Sequence, residues 1–321
     1  LLNLAEKHKK TVCVGRTHGQ HAVPTTYGLK FASWAREVRR HIERLDEIKK
    51  RALVGKMTGA VGTQASFGRK GMEIQKYVMD DLGLSAAEVS SQIIQRDRYA
   101  ELVAILALIS ATLDKIGREV RNLMRTEIAE VSESFRKSQV GSSTMPHKKN
   151  PIDAEKVCGL ARVVKSNVFA ALENVSLEHE RDLTNSSSER VVIPESFVLL
   201  DEILKTSKGM LGSLLFFPEN IKRNLKLTKG INMAESVMIA LTEKGMSRQD
   251  AHELLRRLST SASKEKKELK EVLLGSERVT KFLTAREIED ALNPEKYIGT
   301  AVEQVESVLR AARNERKLRQ L

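Results

Sequence analysis

Cysteines, aromatic residues and long apolar runs are all scarce in this chain. Only Cys13 and Cys158 occur among 321 residues. Two cysteines are too few for a disulfide framework and indicate a reducing compartment, although a single bridge between them stays open. No run of about 18 apolar residues is present, so a membrane-spanning helix is not expected. Residues 1–7 lack the design of a signal peptide, and we therefore expect a cytoplasmic protein with no membrane partner.

The low aromatic content also limits how the core can be built. Aromatic residues make up 4% of the chain and hydrophobic residues 41%. The core must therefore consist of Leu, Ile, Val, Ala and Met, as is usual in helix bundles. The length exceeds one typical domain, so two or more helical units are expected. The first residue is not methionine and lies inside a helical pattern, which leaves open that the chain is a fragment.

The formal net charge of +12, with a pI of about 9.6, allows three interpretations. They are a nucleic-acid partner, an anionic small substrate, or a lysine-rich surface. Basic residues alternate with acidic ones along the predicted helices and are not gathered with aromatic residues into a groove. We therefore favour the surface interpretation and expect no nucleic-acid partner; the alternative predicts binding that weakens steeply with salt.

Apolar residues at helical spacing dominate the chain. From 99 to 138 the period is almost unbroken, which predicts a helix much longer than the globular average. A second long helix is predicted after residue 151, and a third after Pro194. Such lengths suggest a bundle completed by other subunits. A break near residue 216 divides the chain into a bundle, 1–215, and a smaller helical domain, 216–321.

Two polar segments interrupt the pattern before the first long helix. Residues 11–15 are predicted to be extended and to lead into a loop at 16–24, after which a helix opens at Pro24. A glycine-rich passage follows at 55–71. Its glycines permit turns, but their spacing does not match a phosphate-binding fingerprint.

The stretch 141–151, Gly-Ser-Ser-Thr-Met-Pro-His-Lys-Lys-Asn-Pro, is the most distinctive part of the chain. Ser142, Ser143, Lys148 and Asn150 could together present hydroxyls, a cation and an amide to an anionic substrate. The alternative is a polar connector between two helices. The two prolines and the helical flanks favour a shaped functional loop.

This stretch, followed by Glu155, resembles the signature of the fumarase/aspartase superfamily. Two further stretches resemble the adenylosuccinate lyase family within it: Gly-Arg-Thr-His-Gly-Gln at 15–20, and Glu-His-Glu-Arg-Asp-Leu-Thr-Asn-Ser-Ser-Ser-Glu-Arg at 178–190. Similarity runs from about residue 15 into the C-terminal part. The argininosuccinate lyase, fumarase and cycloisomerase branches share the central stretch but should lack this combination of serines and arginines.

The resemblance implies an all-α fold of the fumarase/aspartase type, with a long-helix bundle and a smaller helical C-terminal domain. It implies a homotetramer whose sites draw residues from three subunits, with no metal and no organic cofactor. The implied reaction is elimination of fumarate from adenylosuccinate, giving AMP, and from succinyl-aminoimidazole carboxamide ribotide. The partner would thus be an anionic, succinylated purine nucleotide.

The resemblance also assigns catalytic roles. Ser142 would be the base that removes a proton beside a carboxylate, and His18 the acid that protonates the departing nitrogen. Glu155 would set the tautomer of His18 and keep it protonated. Lys148 and Asn150 would hold the carboxylate in which negative charge develops. Taken singly, each could be an ordinary loop or surface residue; the motif makes that interpretation weak.

Substrate binding is assigned in the same way. Arg181, Ser186 and Arg190 match positions expected to bind the phosphate, for which the planar donors of arginine are well suited. Surface ion pairs are the alternative. Further contacts are expected from Arg16, Thr17, Gln92, Ser143 and Met145. His21 ranks below His18 as a substrate contact.

Other functions stay open. The nearest rival is another superfamily branch, most plausibly argininosuccinate lyase or a carboxymuconate cycloisomerase; a catalytically silent structural relative is a second alternative. Members of the family also have an N-terminal domain before the Thr-His stretch, with another histidine that contacts substrate. Nothing here matches that domain, which leaves open whether the site is incomplete.

Overall fold

The computed structural model describes residues 1–134, 145 and 148–320, with side chains up to residue 315. The expected mostly helical fold, with long helices and a helical C-terminal region, is confirmed. The helices are α1 (Leu2–Lys7), α2 (Tyr27–Ala52), α3 (Gly71–Leu82), α4 (Asp97–Leu123), α5 (Ile152–Glu173), α6 (Thr184–Gly212), α7 (Pro218–Lys226), α8 (Ala234–Glu243), α9 (Arg248–Glu265), α10 (Leu269–Leu274), α11 (Glu277–Thr280), α12 (Ala285–Ala291) and α13 (Ala301–Gln320).

The strands are short and form two-stranded pairs. They are β1 (Val12–Thr17), β2 (Gln20–Thr26), β3 (Val54–Gly55), β4 (Ser85–Ala86), β5 (Val131–Ser132) and β6 (Leu215–Phe216). β1 and β2 form an antiparallel hairpin, whereas β3 and β4 pair in parallel. None of the helices in the described ranges is both long enough and apolar enough to span a membrane.

The chain divides into two compact units. Unit 1 comprises Leu1–Arg36, Thr126–Glu130 and Phe216–Leu321, and unit 2 comprises Glu37–Arg125 and Val131–Leu215. The sequence-based division into domains 1–215 and 216–321 stays a prediction.

Unit 2 is organised around the three long helices α4, α5 and α6, each of which contacts the other two. Most of their buried positions are aliphatic; Val103, Ile116 and Ile203 are completely buried. A Cβ atom on Gly117 would lie 3.1 Å from the carbonyl oxygen of Ala154. The glycine therefore allows α4 to approach the first turn of α5 closely, and this turn follows the central stretch of the sequence.

The helix predicted over residues 99–138 ends earlier, with α4. Beyond α4 the chain makes turns, and its carbonyl groups are bound by side chains from α7. The carbonyl of Ile128 accepts a 2.7 Å hydrogen bond from Nδ2 of Asn224, and that of Ala129 accepts one of 2.7 Å from Nδ2 of Asn220. These bonds to residues distant in sequence replace the helical bonds that the apolar periodicity alone predicted.

The third long helix, predicted to follow Pro194, begins ten residues before it, at Thr184. The carboxylate of Asp182 accepts a 2.7 Å hydrogen bond from the backbone N–H of Thr184. A start at this position places Pro194 inside the helix, where its missing N–H leaves the carbonyl of Arg190 without a helical partner. The first turns of α6 thus hold Ser186 and Arg190, which the sequence-based prediction placed before this helix.

Unit 1 joins the β1–β2 hairpin and α1 to the C-terminal helices α7–α13. Its helical core is aliphatic, as the composition predicted, with Leu241, Leu269, Leu273 and Ile288 all completely buried. Five aromatic rings lie elsewhere in the unit. They form one cluster of edge-to-face and stacked pairs, made by His8, Tyr27, Phe31, Trp34 and Phe216.

Candidate active site

The predicted Thr-His loop is the tip of the β1–β2 hairpin. Arg16 lies opposite His21 in the register, and Thr17 lies opposite Gln20. The two residues between the strands, His18 and Gly19, have φ angles of 52° and 73°. Two successive left-handed residues make a tight turn that suits the twist of a hairpin. Thr17 and His18 are exposed at this tip.

Arg16 is attached to a buried carboxylate. Its Nη2 atom donates a 2.5 Å hydrogen bond to Oε1 of Glu130, whose side chain has no exposed surface. The same carboxylate accepts hydrogen bonds from the hydroxyl of Tyr27 and, at 2.9 Å, from Nδ2 of Asn224. Burial lowers the pKa of Arg16, but the hydrogen bond and charge of Glu130 outweigh burial, so the pKa is raised. The hairpin is therefore bound to both α2 and α7.

His21, on the strand that returns from the tip, is half-buried. Burial and the neighbouring charge of Arg16 together lower its pKa, although Glu130 opposes the shift. An unperturbed imidazole already titrates near pH 6.5, so His21 is neutral at pH 7. A neutral imidazole can donate or accept a hydrogen bond, but it lacks the additional proton that a general acid must transfer.

The central stretch, 141–151, is only partly described. Ser142 and Ser143 lie outside the described residues. Met145 is exposed, and its carbonyl accepts a 3.0 Å hydrogen bond from the N–H of Lys148, which is also exposed. The stretch then leads directly into α5, since the carbonyl of Asn150 accepts a 3.0 Å bond from the N–H of Ile152.

Glu155 lies in the first turn of α5 and is exposed. The start of this helix is bound by a second carboxylate, Glu133, which is 4% exposed. Glu133 accepts hydrogen bonds of 3.1 Å from the N–H of Asp153 and 2.7 Å from that of Ala154. Glu133 thereby holds the chain before the central stretch against the helix after it.

The environment of Glu133 is unfavourable for its charge. Burial raises its pKa most, and the nearby carboxylates of Asp153 and Glu155 add to the increase, while the two backbone N–H groups oppose it. Sequence reasoning missed both Glu130 and Glu133. The available signal was a pair of carboxylates at a spacing of three, separated by Val131 and Ser132, eight residues before the stretch 141–151.

The predicted phosphate-binding residues lie around the start of α6. Ser186 and Arg190 are four residues apart on this helix and therefore share one face. Arg181 precedes the helix and is exposed. Asp182 fixes the intervening turn by accepting backbone bonds from Glu178 at 2.5 Å and from Thr184 at 2.7 Å.

Gln92 lies in an irregular segment before α4, and one ion pair links this segment to α6. Nε of Arg96 donates a 2.7 Å hydrogen bond to Oε1 of Glu189, and Nη2 donates to Oε2. Both side chains are mostly buried, 13% and 14% exposed. The pair brings the Gln92 segment next to the helical turn that bears Ser186.

The structure thus groups the predicted residues into three local sets. Arg16, Thr17 and His18 share the hairpin tip in unit 1. In unit 2, one set surrounds the start of α5 and comprises Met145, Lys148, Asn150 and Glu155. The other surrounds the start of α6 and comprises Gln92, Arg181, Ser186 and Arg190.

The sequence left open whether Cys13 and Cys158 form a disulfide bond. In the structure both cysteines are buried and free.

Two family matches cover most of the chain. Residues 1–165 match a family described as lyase, and residues 230–308 match the adenylosuccinate lyase C-terminus. Among curated proteins, the adenylosuccinate lyase of Pyrococcus horikoshii is 63% identical over 309 residues, which are 96% of this chain and 68% of that protein. The enzyme of Methanocaldococcus jannaschii is 53% identical over 317 residues, 98% of this chain and 69% of that protein.

Solved structures support the same fold. A fumarate lyase from Mesorhizobium sp. BNC1 matches with a TM-score of 0.88 at 34% identity, covering 96% of this chain and 69% of that one. A 3-carboxy-cis,cis-muconate lactonizing enzyme from Pseudomonas putida matches with a TM-score of 0.86 at 33% identity, covering 96% and 68%. Sequence identity is thus clearly higher to the adenylosuccinate lyases than to these two proteins.

Proposed function

Because the chain belongs to the adenylosuccinate lyase family, and is therefore a C–N lyase, we propose that it eliminates fumarate from adenylosuccinate, leaving AMP. We propose the same elimination from succinyl-aminoimidazole carboxamide ribotide in purine biosynthesis. The observation that supports this most is the identity of 63% over 96% of the chain to a curated adenylosuccinate lyase.

The chemistry requires removal of a proton from the carbon beside a carboxylate. In the proposed mechanism Ser142 takes this proton, and the resulting charge spreads into the carboxylate. Lys148 and Asn150 bind this group, because fixed cations and donors stabilise charge that develops in the transition state. The N–H groups of Asp153 and Ala154 already bind Glu133. Because these N–H groups are not available to the substrate, stabilisation of its carboxylate depends more on Lys148 and Asn150.

The departing nitrogen needs a proton, which His18 donates in this proposal. The left-handed turn exposes its ring at the hairpin tip, as a residue that meets a substrate requires. Glu155, exposed on the first turn of α5, would keep the imidazole protonated and in the correct tautomer. Arg16 and Thr17 at the same tip would contact the substrate.

The nucleotide phosphate would bind at the start of α6. Arg181 and Arg190 supply planar donors, Ser186 supplies a hydroxyl, and the helix N-terminus favours negative charge. Further substrate contacts are proposed for Gln92, Ser143 and Met145.

We also propose that four chains associate, with each site built from three subunits. Large apolar side chains are exposed along α5 and α6: Phe169 is 76%, Val191 61% and Val198 67% exposed. Exposed apolar residues this numerous mark an interaction surface. In such an assembly, His18 of one subunit would share a site with unit 2 residues of another subunit. The buried, unbridged cysteines agree with a cytoplasmic location.

Fumarate release from adenylosuccinate and from argininosuccinate, measured with the full-length protein, tests the proposed function. We expect release from adenylosuccinate only; release from argininosuccinate alone would contradict the proposal. Ser142→Ala should abolish turnover while AMP binding persists, and unchanged turnover would remove Ser142 as the base.

A cycloisomerase is the second candidate, because one solved relative is a muconate lactonizing enzyme. That reaction uses a substrate without phosphate. Arg190→Ala distinguishes the two functions, since the KM for adenylosuccinate should rise at least about tenfold if Arg190 binds phosphate.

A further inference from the structure

The face of α6 proposed to bind phosphate includes a carboxylate. Glu189 lies three residues after Ser186 and directly before Arg190, so it belongs to the same turns of the helix. A dianionic phosphate close to an uncompensated carboxylate would be repelled, and the repulsion would be strong because Glu189 is mostly buried. Binding of an anion at this face therefore requires that the charge of Glu189 be compensated.

Arg96 supplies this compensation. Its guanidinium binds both carboxylate oxygens of Glu189, and its Nη1 atom also donates to the carbonyl of Ile94 at 3.3 Å. The guanidinium lies over the ring of Tyr99, 4.2 Å from its centroid. These contacts fix Arg96 on three sides, and they fix the segment that contains Gln92 at the same time.

We propose that Arg96 is a positioning and specificity-determining residue for the phosphorylated substrate. It neutralises Glu189, so that the net charge of the Ser186–Arg190 face is positive, and it holds Gln92 beside this face. The inference rests on the proposed function, because the anion concerned is the nucleotide phosphate. Arg96 acts through Glu189 and does not itself contact the phosphate.

Opposite single substitutions separate this role from a purely structural one. Arg96→Gln leaves the carboxylate uncompensated, and the KM for adenylosuccinate should rise roughly tenfold, since like charges brought together at a binding surface weaken binding by at least that factor. Glu189→Gln leaves an extra cation, and KM should fall. If the pair only stabilised the fold, both variants would impair binding alike.

The double variant Arg96→Gln/Glu189→Gln completes the test. It removes both charges, and KM should return to within about threefold of the wild type, as expected when both members of a buried pair are replaced together. Inhibition by AMP, measured for all four proteins, provides a second readout. The inhibition constant should follow KM, while kcat changes less.

Arg51→Gln is a matched control, because Arg51 makes a similar two-bond pair with Glu101 in unit 2, but this pair is exposed and joins α2 to α4 without involving a residue of α6. Its KM should equal that of the wild type. Unchanged KM in Arg96→Gln, or raised KM in Glu189→Gln, would overturn the proposal. Fumarate release by the wild type tests the proposed lyase function separately. Failure of the proposed function can therefore be distinguished from failure of the role proposed for Arg96.

Discussion

The carboxylate of Glu130 lies 2.5 Å from Nη2 of Arg16, in a position with no access to solvent. Its other oxygen accepts a hydrogen bond from the hydroxyl of Tyr27, so both oxygens of the carboxylate are bound. Burial raises the pKa of Tyr27 most, and the charge of Glu130 and the hydrogen bond to it add to the increase. Glu130 thus links the hairpin that bears His18 to α2 and α7 in addition to the direct packing of the hairpin against unit 1.

Glu130→Gln is predicted to destabilise unit 1. The substitution keeps the shape of the side chain but removes the charge that pairs with Arg16, and breaking a buried ion pair costs about 3 kcal/mol. Trp34, the only tryptophan of the chain, is buried in this unit. Urea unfolding followed by its fluorescence therefore reports on unit 1 directly.

Glu306→Gln is the matched control for this substitution. Glu306 pairs with Lys9 at 2.8 Å in the same unit, but both side chains are substantially exposed. Loss of an exposed pair should cost less than about 1 kcal/mol. Equal effects of the two variants would contradict the importance assigned to burial of Glu130.

Asp114 is predicted to stabilise unit 2 in a pH-dependent way. Burial raises its pKa, but hydrogen bonds from Arg118 and Lys165 lower it more, to about 2. A carboxyl with a lowered pKa contributes stability above its unfolded value of 3.8, and the contribution is lost as the pH falls toward 2. Asp114→Asn should therefore cost roughly 2 kcal/mol at pH 7 and about half of that at pH 3.

Urea unfolding followed by circular dichroism, repeated between pH 3 and pH 7, measures this difference. Asp201→Asn serves as the control, because Asp201 pairs with Lys205 at a largely exposed position on α6. That variant should differ little from the wild type at any pH. A constant cost of Asp114→Asn across this range would contradict the prediction.

Glu133 should show the opposite pH dependence. Its pKa is raised, chiefly by burial, so the folded state holds a proton that the unfolded state releases. Its contribution to stability is fully present below the ordinary value of 4.5 and is lost as the pH rises through the folded-state pKa. Glu133→Gln, which cannot ionise, should therefore gain stability relative to the wild type as the pH rises from 4.5.

The same unfolding series from pH 4 to pH 8 tests this prediction. The glutamine side chain in Glu133→Gln retains one acceptor oxygen for the N–H groups of Asp153 and Ala154, so the variant should still fold. The result to look for is the slope of the stability difference against pH. A difference that falls with rising pH, or stays flat, would show that Glu133 is not held in an environment unfavourable to its charge.

The sequence predicted those elements that local apolar spacing determines. The long helices α4 and α5 were predicted because their buried positions recur at steps of three and four. Where α4 ends was predicted wrongly, since the bonds from Asn220 and Asn224 to the carbonyls of residues 128 and 129 join parts of the chain that lie far apart in sequence. No local pattern encodes such contacts.

The candidate site likewise contains residues that the sequence predicted and residues that it did not. The sequence motifs predicted Lys148, Glu155 and Arg190 as site residues by type and spacing, and these assignments stay predictions. The two buried carboxylates that hold the neighbouring segments, Glu130 at the hairpin and Glu133 at the start of α5, were not predicted, because an acidic residue between helices is usually exposed. Burial of Glu130 and Glu133 depends on tertiary packing, which a single sequence does not display.

His18→Asn separates the conformation of the hairpin tip from its chemistry. His18 has a left-handed backbone, and asparagine adopts this conformation readily, whereas most other residues do so at a cost. The fold should therefore be unchanged, with unfolding by Trp34 fluorescence within about 0.5 kcal/mol of the wild type. Asparagine cannot donate a proton as imidazolium does, so kcat should fall at least about 100-fold. Gln20→Ala, an exposed change beside the turn, should leave kcat unaltered. A His18→Asn variant with near-normal kcat would show that His18 is not the acid. His21 would then be the next candidate, although it would have to be protonated despite its lowered pKa.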